Sequence, residues 1–210
     1  MKALFIRCYG KLIPDMLVGG LIDMGVPPEY LKEKLKEAEL PDSFIEKSIP
    51  NARVSAHYFH VPESKNKPLL LRQGDLYRQW REICTRADPE WEVPGWKVFS
   101  SLAAGASDAL DEIPANIINL RRCGVKEEHL ISLYCFFAAL DYLGAESLFV
   151  CPFSIIPGKT EIGRTTEKIM IHAVSTTGET ISAEEINPFA AAMIEGLSAG
   201  YIPMDGRFLV

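Results

Sequence analysis

The segment that most constrains the fold is KEEHLISLYCFFAALDYL, residues 126–143, which shows the clearest helical period in the chain. Its apolar residues recur at spacings of three, four and three, at Leu130, Leu133, Phe137 and Leu140. This is the spacing of one face of a helix. Gly144 follows, and glycine is typical of the residue that ends a helix in a left-handed conformation. The pattern therefore predicts a helix over 126–143.

The rest of the chain alternates between strand-like and helix-like segments. Runs of β-branched and aromatic residues predict strands at 3–9, 52–61, 146–153 and 168–175. Helical patterns lie at 14–24, 28–38, much of 73–122, and 183–197. Residues 40–51 are a loop or a weak element, and PESKNKP, 62–68, is typical of an exposed loop. This alternation favours an α/β or α+β fold: a mixed sheet covered by helices in one domain, 1–210, in which about 69–122 is a candidate helical insertion.

The first predicted helix has an unusual composition. Pro14 suits a first turn, where its missing N–H would have no partner, and Asp15 places a negative charge at the positive end of the helix dipole. Gly19 and Gly20 follow inside the helix, where each costs roughly 0.5–1 kcal/mol relative to alanine. The usual reason for such glycines is the close approach of another backbone or of a ligand, and both alternatives stay open.

Composition excludes several classes of protein. A net charge of −6 without a run of five basic residues argues against broad binding to nucleic acid or to acidic membrane surfaces. The apolar runs are shorter than the ~20 residues of a membrane span, and the amino terminus lacks the cleavage site of a signal peptide. Five widely spaced cysteines without a C-x-x-C pair favour reduced thiols in the cytoplasm over a disulfide framework or a zinc site.

The histidines give no strong metal motif. His57 and His60 lie three residues apart on a predicted strand, so their side chains point to opposite faces and share an ion only if the strand bulges. His129 lies with two glutamates in a first helical turn, where acids are expected for the dipole alone. His172 is predicted to be a core or edge histidine of a strand. No phosphate-binding loop and no G-x-S-x-G motif are present.

Asp141 interrupts an apolar stretch near a helix end, where the dipole disfavours a carboxylate. A buried carboxylate has to be paired or hydrogen-bonded. Asp141 therefore either bonds neighbouring backbone groups or faces a site, and Asp15 has the same two interpretations.

Two segments, DMLVGGLIDMGVPPEYLKEKL and AALDYLGAESLFVCPF, resemble the amino-terminal half of the nickel-insertion family typified by LarC. That family matures the nickel-pincer nucleotide cofactor of lactate racemase. A third segment, EEINPFAAAMIEGL at 184–197, is similar to the family's T-P-T-G-A-A region, and the order agrees along the chain. The resemblance implies the family's fold, with the small Gly19–Gly20 pair packing tightly against the first strand.

The chain also departs from the family pattern. Where the family has a glycine-rich loop before the first helix, this chain has YGKLIPDM, which retains the aspartate but not the glycine turn. The segment PLLLRQGDLY lacks the histidines that the family has at this point. The family's His- and acid-rich pattern falls on Leu120, Arg122, Cys123, Glu128 and Ser132. Glu128 alone keeps a carboxylate, whereas nickel requires a dense set of imidazole and carboxylate donors.

The resemblance predicts a divergent family member that carries nickel or its cofactor, or acts as an accessory subunit. Asp15, Glu128 and Asp141 are the predicted nickel ligands in one shared cleft, and Lys11, Asp15 and Arg122 the predicted cofactor-binding residues. The expected partners are nickel ion, the nickel-pincer nucleotide, a separate subunit of the carboxy-terminal type and a second copy of the chain. The alternative is a metal-free interaction or assembly module, and catalytic activity is left open because fold does not determine function.

Overall fold

A computed structural model describes residues 2–49, 56–63, 69–112, 118–172 and 179–202. The helices are α1 Pro14–Asp23, α2 Pro28–Glu37, α3 Gln73–Arg86, α4 Glu92–Leu110, α5 His129–Leu143, α6 Glu161–Ile169 and α7 Pro188–Leu197. The strands are β1 Ala3–Ile6, β2 Ile45–Ile49, β3 Ala56–His60, β4 Ser147–Val150, β5 Ser154–Ile156, β6 Thr180–Ser182 and β7 Gly200–Tyr201. The mixed α/β class predicted from the sequence is confirmed.

The strands form three small sheets. A parallel sheet has the order β1-β4-β7, with Ala3 opposite Ser147 and Phe149 opposite Gly200. β2 and β3 form an antiparallel pair, and β5 and β6 form a parallel pair. Residues 45–49, within the segment predicted to be a loop or a weak element, therefore form a strand.

Helix α5 is the centre of the molecule, and its buried residues lie on all of its faces, as expected for a helix without a polar side. Helices α1 and α2 pack against it. Its Phe137 ring lies 5.6 Å from the ring of Trp91 and 5.5 Å from that of Trp80. Trp80 also donates to the Trp91 carbonyl at 3.2 Å. The helices within 69–122 thus share one hydrophobic core with α5.

The two adjacent glycines of α1 have different surroundings. A Cβ on Gly19 would lie 2.7 Å from the carbonyl oxygen of His57, so the backbone of β3 packs directly on this glycine. A Cβ on Gly20 would meet no atom within 4 Å. The expected close approach is therefore found at Gly19, but against β3 and not against the first strand.

The strand predicted at 168–175 is wrong over its described part. Helix α6 continues to Ile169 and a turn follows, because Gly163, Thr166 and Ile169 lie on one buried helical face. Thr160 caps its amino terminus by accepting from the N–H of Gly163 at 3.1 Å. His172 therefore lies after a helix, and residues 173–175 are outside the described part of the chain.

Further expectations concern boundaries, burial and membrane crossing. The helix predicted from residue 183 begins at Pro188, after a 3₁₀ turn at Ala183–Glu185 and a cap at Asn187. Residues 64–68 of the predicted loop at 62–68, and 52–55 of the predicted strand at 52–61, lie outside the described residues. All five cysteines are unpaired and buried. Nowhere in the described ranges does a helix combine the length and the apolar character that a bilayer crossing requires.

Candidate functional site

Three helices begin around a small cavity of about 140 Å³, called the acidic cleft here. The amino termini of α1, α5 and α7 meet the end of β3 at this point. The cavity is lined by Ile13, Pro14, Asp15, His60, Val61, Glu63, Lys126, Glu128, His129 and Asn187. Carboxylates in these positions are stabilised by the positive ends of helix dipoles.

Asp15 joins three elements at the floor of the cleft and is 8% exposed. Its Oδ1 accepts from Ser132 Oγ of α5 at 2.6 Å. Its Oδ2 lies 3.0 Å from His60 Nδ1 and accepts from the Val61 N–H at 3.3 Å. Three hydrogen bonds therefore offset the desolvation of this carboxylate.

The contact with Asp15 determines which nitrogen of His60 can bind a ligand. Because the carboxylate accepts at Nδ1, that nitrogen carries the proton and Nε2 of the neutral ring keeps its lone pair. Imidazoles that bind metals are commonly held by a carboxylate in this manner, which fixes the ring and raises the basicity of its other nitrogen. The His60 side chain is 39% exposed, so solvent and ions can reach it.

Glu128 and His129 line the cleft at the start of α5. Glu128 is 8% exposed and precedes the first residue of the helix. His129 Nδ1 accepts from the N–H of Lys126 at 3.2 Å, and burial lowers the pKa of His129 to about 3. His129 is therefore neutral and its Nε2 carries the proton. The ammonium of Lys126 pairs with Glu63 at the rim.

His57 and His60 are held in separate pairs. His57 Nδ1 lies 2.8 Å from Asp23 Oδ1, and the same oxygen accepts from the His57 N–H at 2.9 Å. One aspartate at each end of α1 thus holds one histidine of β3, and Gly19 lies between them against the strand. Within the ranges that the structure describes, no three His, Cys, Asp or Glu side chains are placed to hold one metal ion.

The cleft contains two of the three predicted nickel ligands, Asp15 and Glu128. Asp141 is exposed near the end of α5, roughly 13 Å along the helix axis from Ser132 at 1.5 Å per residue. Asp141 is exposed because the final turn of α5 emerges from the core. Asp141 does not line the cleft.

The predicted cofactor-binding residues also separate. Arg122 is exposed and bridges Glu161 and Glu112, with Arg122 Nε 3.2 Å from a Glu161 oxygen. These hydrogen bonds raise the pKa of Arg122, and its charge is already matched by two carboxylates. Lys11 is exposed and lines a different hollow. Of the three residues, Asp15 alone lines the acidic cleft.

Lys11 borders a larger hollow of about 570 Å³, called the β1 groove here. One wall is the chain from Leu4 to Leu12, the other is α1, and Phe136 of α5 contributes to the lining. The α1 wall consists of Met16, Leu17, Gly20, Leu21 and Met24. The groove is mainly apolar.

Sequence reasoning missed His60 and Ser132 as members of the site. The alternation argument correctly separated His57 from His60 but left no reason to connect His60 with Asp15, which lies 45 residues earlier. Ser132 carried a signal, because the family pattern placed Glu128 and Ser132 in the same acidic motif. Residues at i and i+4 share one helix face; Ser132 bonds Asp15, and Glu128 lines the same cavity.

Comparison with known proteins extends these observations. Residues 4–205 match the family model described as nickel insertion protein. Relatives that carry this family name include proteins from Geotalea daltonii, Geobacter sp. strain M21 and Synechococcus sp. strain JA-3-3Ab, which are 25%, 26% and 24% identical. The alignments cover 96–97% of this chain and 53–54% of the relatives, so the chain spans about half the length of the curated relatives it matches. No solved structure matches the chain.

Proposed function

The chain belongs to the nickel insertion family, and on that basis we propose that it handles nickel as cargo at the acidic cleft. The observation that carries the proposal is the Asp15–His60 pair, which holds an imidazole with a free Nε2 lone pair at a cavity that also contains Glu128. Imidazole nitrogen and carboxylate oxygen are suitable donors for a borderline divalent ion.

The donor set supports transfer better than storage. The part of the chain that the structure describes has no preassembled set of three ligands, so an ion at His60 keeps coordination positions for donors from another molecule. Metal sites that exchange a ligand likewise keep an open position, whereas structural sites are closed. In this proposal His60 is the primary donor, Asp15 orients it, and Glu128 supplies charge.

The finer role that we propose is a carrier or accessory function in the maturation of the nickel-pincer nucleotide, in the cytoplasm. The further donors would come from a subunit of the carboxy-terminal type. This role rests on the family resemblance, because the chain covers about half of the curated relatives it matches.

Calorimetric titration of chelator-treated protein with nickel tests the proposal. The expected Kd is below about 10 μM, and a Kd of that size corresponds to a binding free energy of about −7 kcal/mol. His60→Ala should abolish binding, and the pair Asp15→Asn with Glu128→Gln should weaken it at least about tenfold. His57→Ala is the matched control, because His57 lies on the same strand and is held by its own aspartate outside the cleft.

An unchanged affinity in His60→Ala, with normal binding by the folded wild type, would remove the cleft from nickel handling. If the folded wild type binds no nickel at millimolar concentration, the second candidate function is the better one. That candidate is a metal-free interaction or assembly module on the same scaffold. One observation favours it: the Asp15 oxygens already accept three hydrogen bonds within the fold.

A further inference from the structure

The outer edge of β1 carries no paired strand from the described part of the chain. Within the described ranges β1 pairs with β4 alone, at one end of the order β1-β4-β7. The carbonyls of Lys2 and Ile6 accept from Glu146 and Cys151 on the β4 side. Since successive residues of a strand direct their N–H and C=O groups to opposite sides, those of Ala3 and Phe5 face outward. Such an edge is a template for a further strand.

The β1 groove lies beside this edge and has apolar walls. Met16 and Met24 of α1 are 50% and 56% exposed, and Tyr9 after β1 is 66% exposed. Gly20 leaves the middle of the α1 wall open, since a side chain there would meet no atom within 4 Å. Met and aromatic side chains adapt well to the side chains of a bound peptide.

The groove is basic where β1 ends. Arg7 lies 4.7 Å above the ring of Tyr9, and one of its nitrogens is 3.8 Å from a Glu179 oxygen. Lys11 makes no hydrogen bond or ion pair with another described residue, although the chain as a whole carries a net charge of −6. A second β1 strand is a poor occupant, because the segment that carries it, with Lys2, Arg7 and Lys11, is itself basic. Like charges opposite each other destabilise strand pairing.

From these three features we propose that the β1 groove binds an extended apolar peptide segment that ends in acidic residues, and that this segment pairs with the outer edge of β1 as an added strand. Main-chain hydrogen bonds supply affinity in this mode of recognition, and the pockets select the side chains. Arg7 and Lys11 select the acidic end. This surface is separate from the acidic cleft, and the inference does not depend on nickel.

The test uses a fluorescein-labelled peptide that alternates valine and threonine and ends in two glutamates, followed by fluorescence anisotropy on the intact chain. The peptide should bind saturably and about tenfold more tightly than the same peptide ending in two lysines. Methylation of its alternate backbone nitrogens should remove binding, because a strand that cannot donate hydrogen bonds cannot pair.

Protein variants locate the binding. Gly20→Leu fills the groove from the solvent side and should weaken binding about tenfold. Gly74→Leu is the matched control, since Gly74 is a helical glycine with equally open surroundings outside the groove. Arg7→Met with Lys11→Met should abolish the preference for glutamate, whereas Lys47→Met outside the groove should retain it.

Several outcomes would overturn the proposal. These are absence of binding at millimolar protein, equal binding of the methylated peptide, and equal loss of binding in Gly20→Leu and Gly74→Leu. Sedimentation velocity tests whether a second copy of the chain occupies the groove. Dimerisation that increases with protein concentration and is reversed by the peptide would identify the second copy as the occupant.

Discussion

The two adjacent glycines of α1 allow a sharp test of the packing of β3. We expect Gly20→Ala to stabilise the chain by roughly 0.5–1 kcal/mol, because the new methyl group meets no neighbour and alanine lowers the cost of ordering the helix. Gly19→Ala gains the same helical preference. Its Cβ, however, would lie 2.7 Å from the carbonyl oxygen of His57.

The difference between the two variants isolates this steric clash. The gain in helix propensity is common to both variants, so it cancels when their free energies of unfolding are compared. The remaining difference is the cost of overpacking against β3, about 1–3 kcal/mol. A carbonyl of the backbone cannot rotate away as a flexible side chain can, which favours the upper half of that range. At about 2–4 °C per kcal/mol for a chain of this size, Gly19→Ala should melt between about 2 and 12 °C below Gly20→Ala.

Urea unfolding followed by tryptophan fluorescence measures the difference in free energy, and circular dichroism gives the two melting temperatures. Equal stabilities for the two alanine variants would refute the close contact between α1 and β3. A Gly20→Ala variant that is less stable than the wild type would contradict the open surroundings of Gly20.

Three further predictions concern the core and its titration. Tyr134→Phe removes a 2.7 Å hydrogen bond to the buried Asp88 carboxylate. The free energy of unfolding measured in urea should fall by about 1.5–3 kcal/mol. A fall of less than about 0.5 kcal/mol would show that this bond does not stabilise the fold. Burial lowers the pKa of His129 to about 3, so between pH 6.5 and 3 this residue is protonated in the unfolded chain but not in the folded one. The free energy of unfolding should therefore fall by up to about 1.4 kcal/mol per pH unit as the pH is lowered from 6.5 towards 3. His129→Gln should flatten that profile, and an unchanged slope would contradict the shift. Burial and the nearby Cys151 raise the pKa of Cys8 to about 11, so Ellman's reagent at pH 8 should label no thiol rapidly in the native chain and all five after unfolding in guanidinium.

The elements that the sequence predicted well are those with strong local signals. Helix α5 and its end at Gly144 follow from apolar spacing and a left-handed cap. Helix α1 begins at Pro14 as predicted. The error at 168–172 arose because isoleucine favours strands locally, whereas the packing of α6 on α4 determines the outcome.

The site was only partly predictable for a related reason. Asp15 and Glu128 carried a family signal, but the contact of Asp15 with His60 depends on how β3 lies on α1, which is a long-range property. The exposure of Asp141 was not predictable, because an apolar sequence does not indicate where a helix leaves the core. Arg122 was judged without its partners Glu112 and Glu161, which come from two distant helical ends.

The register of the parallel sheet has a consequence for biosynthesis. Ala3 leaves the ribosome well before its partner Ser147 and the β7 residue Gly200 are made. At about 5–20 residues per second, β1 waits roughly 7–30 s for β4. During that interval both edges of an apolar strand are open to other nascent chains, so ribosome-associated chaperones should engage this polypeptide until Val150 has emerged.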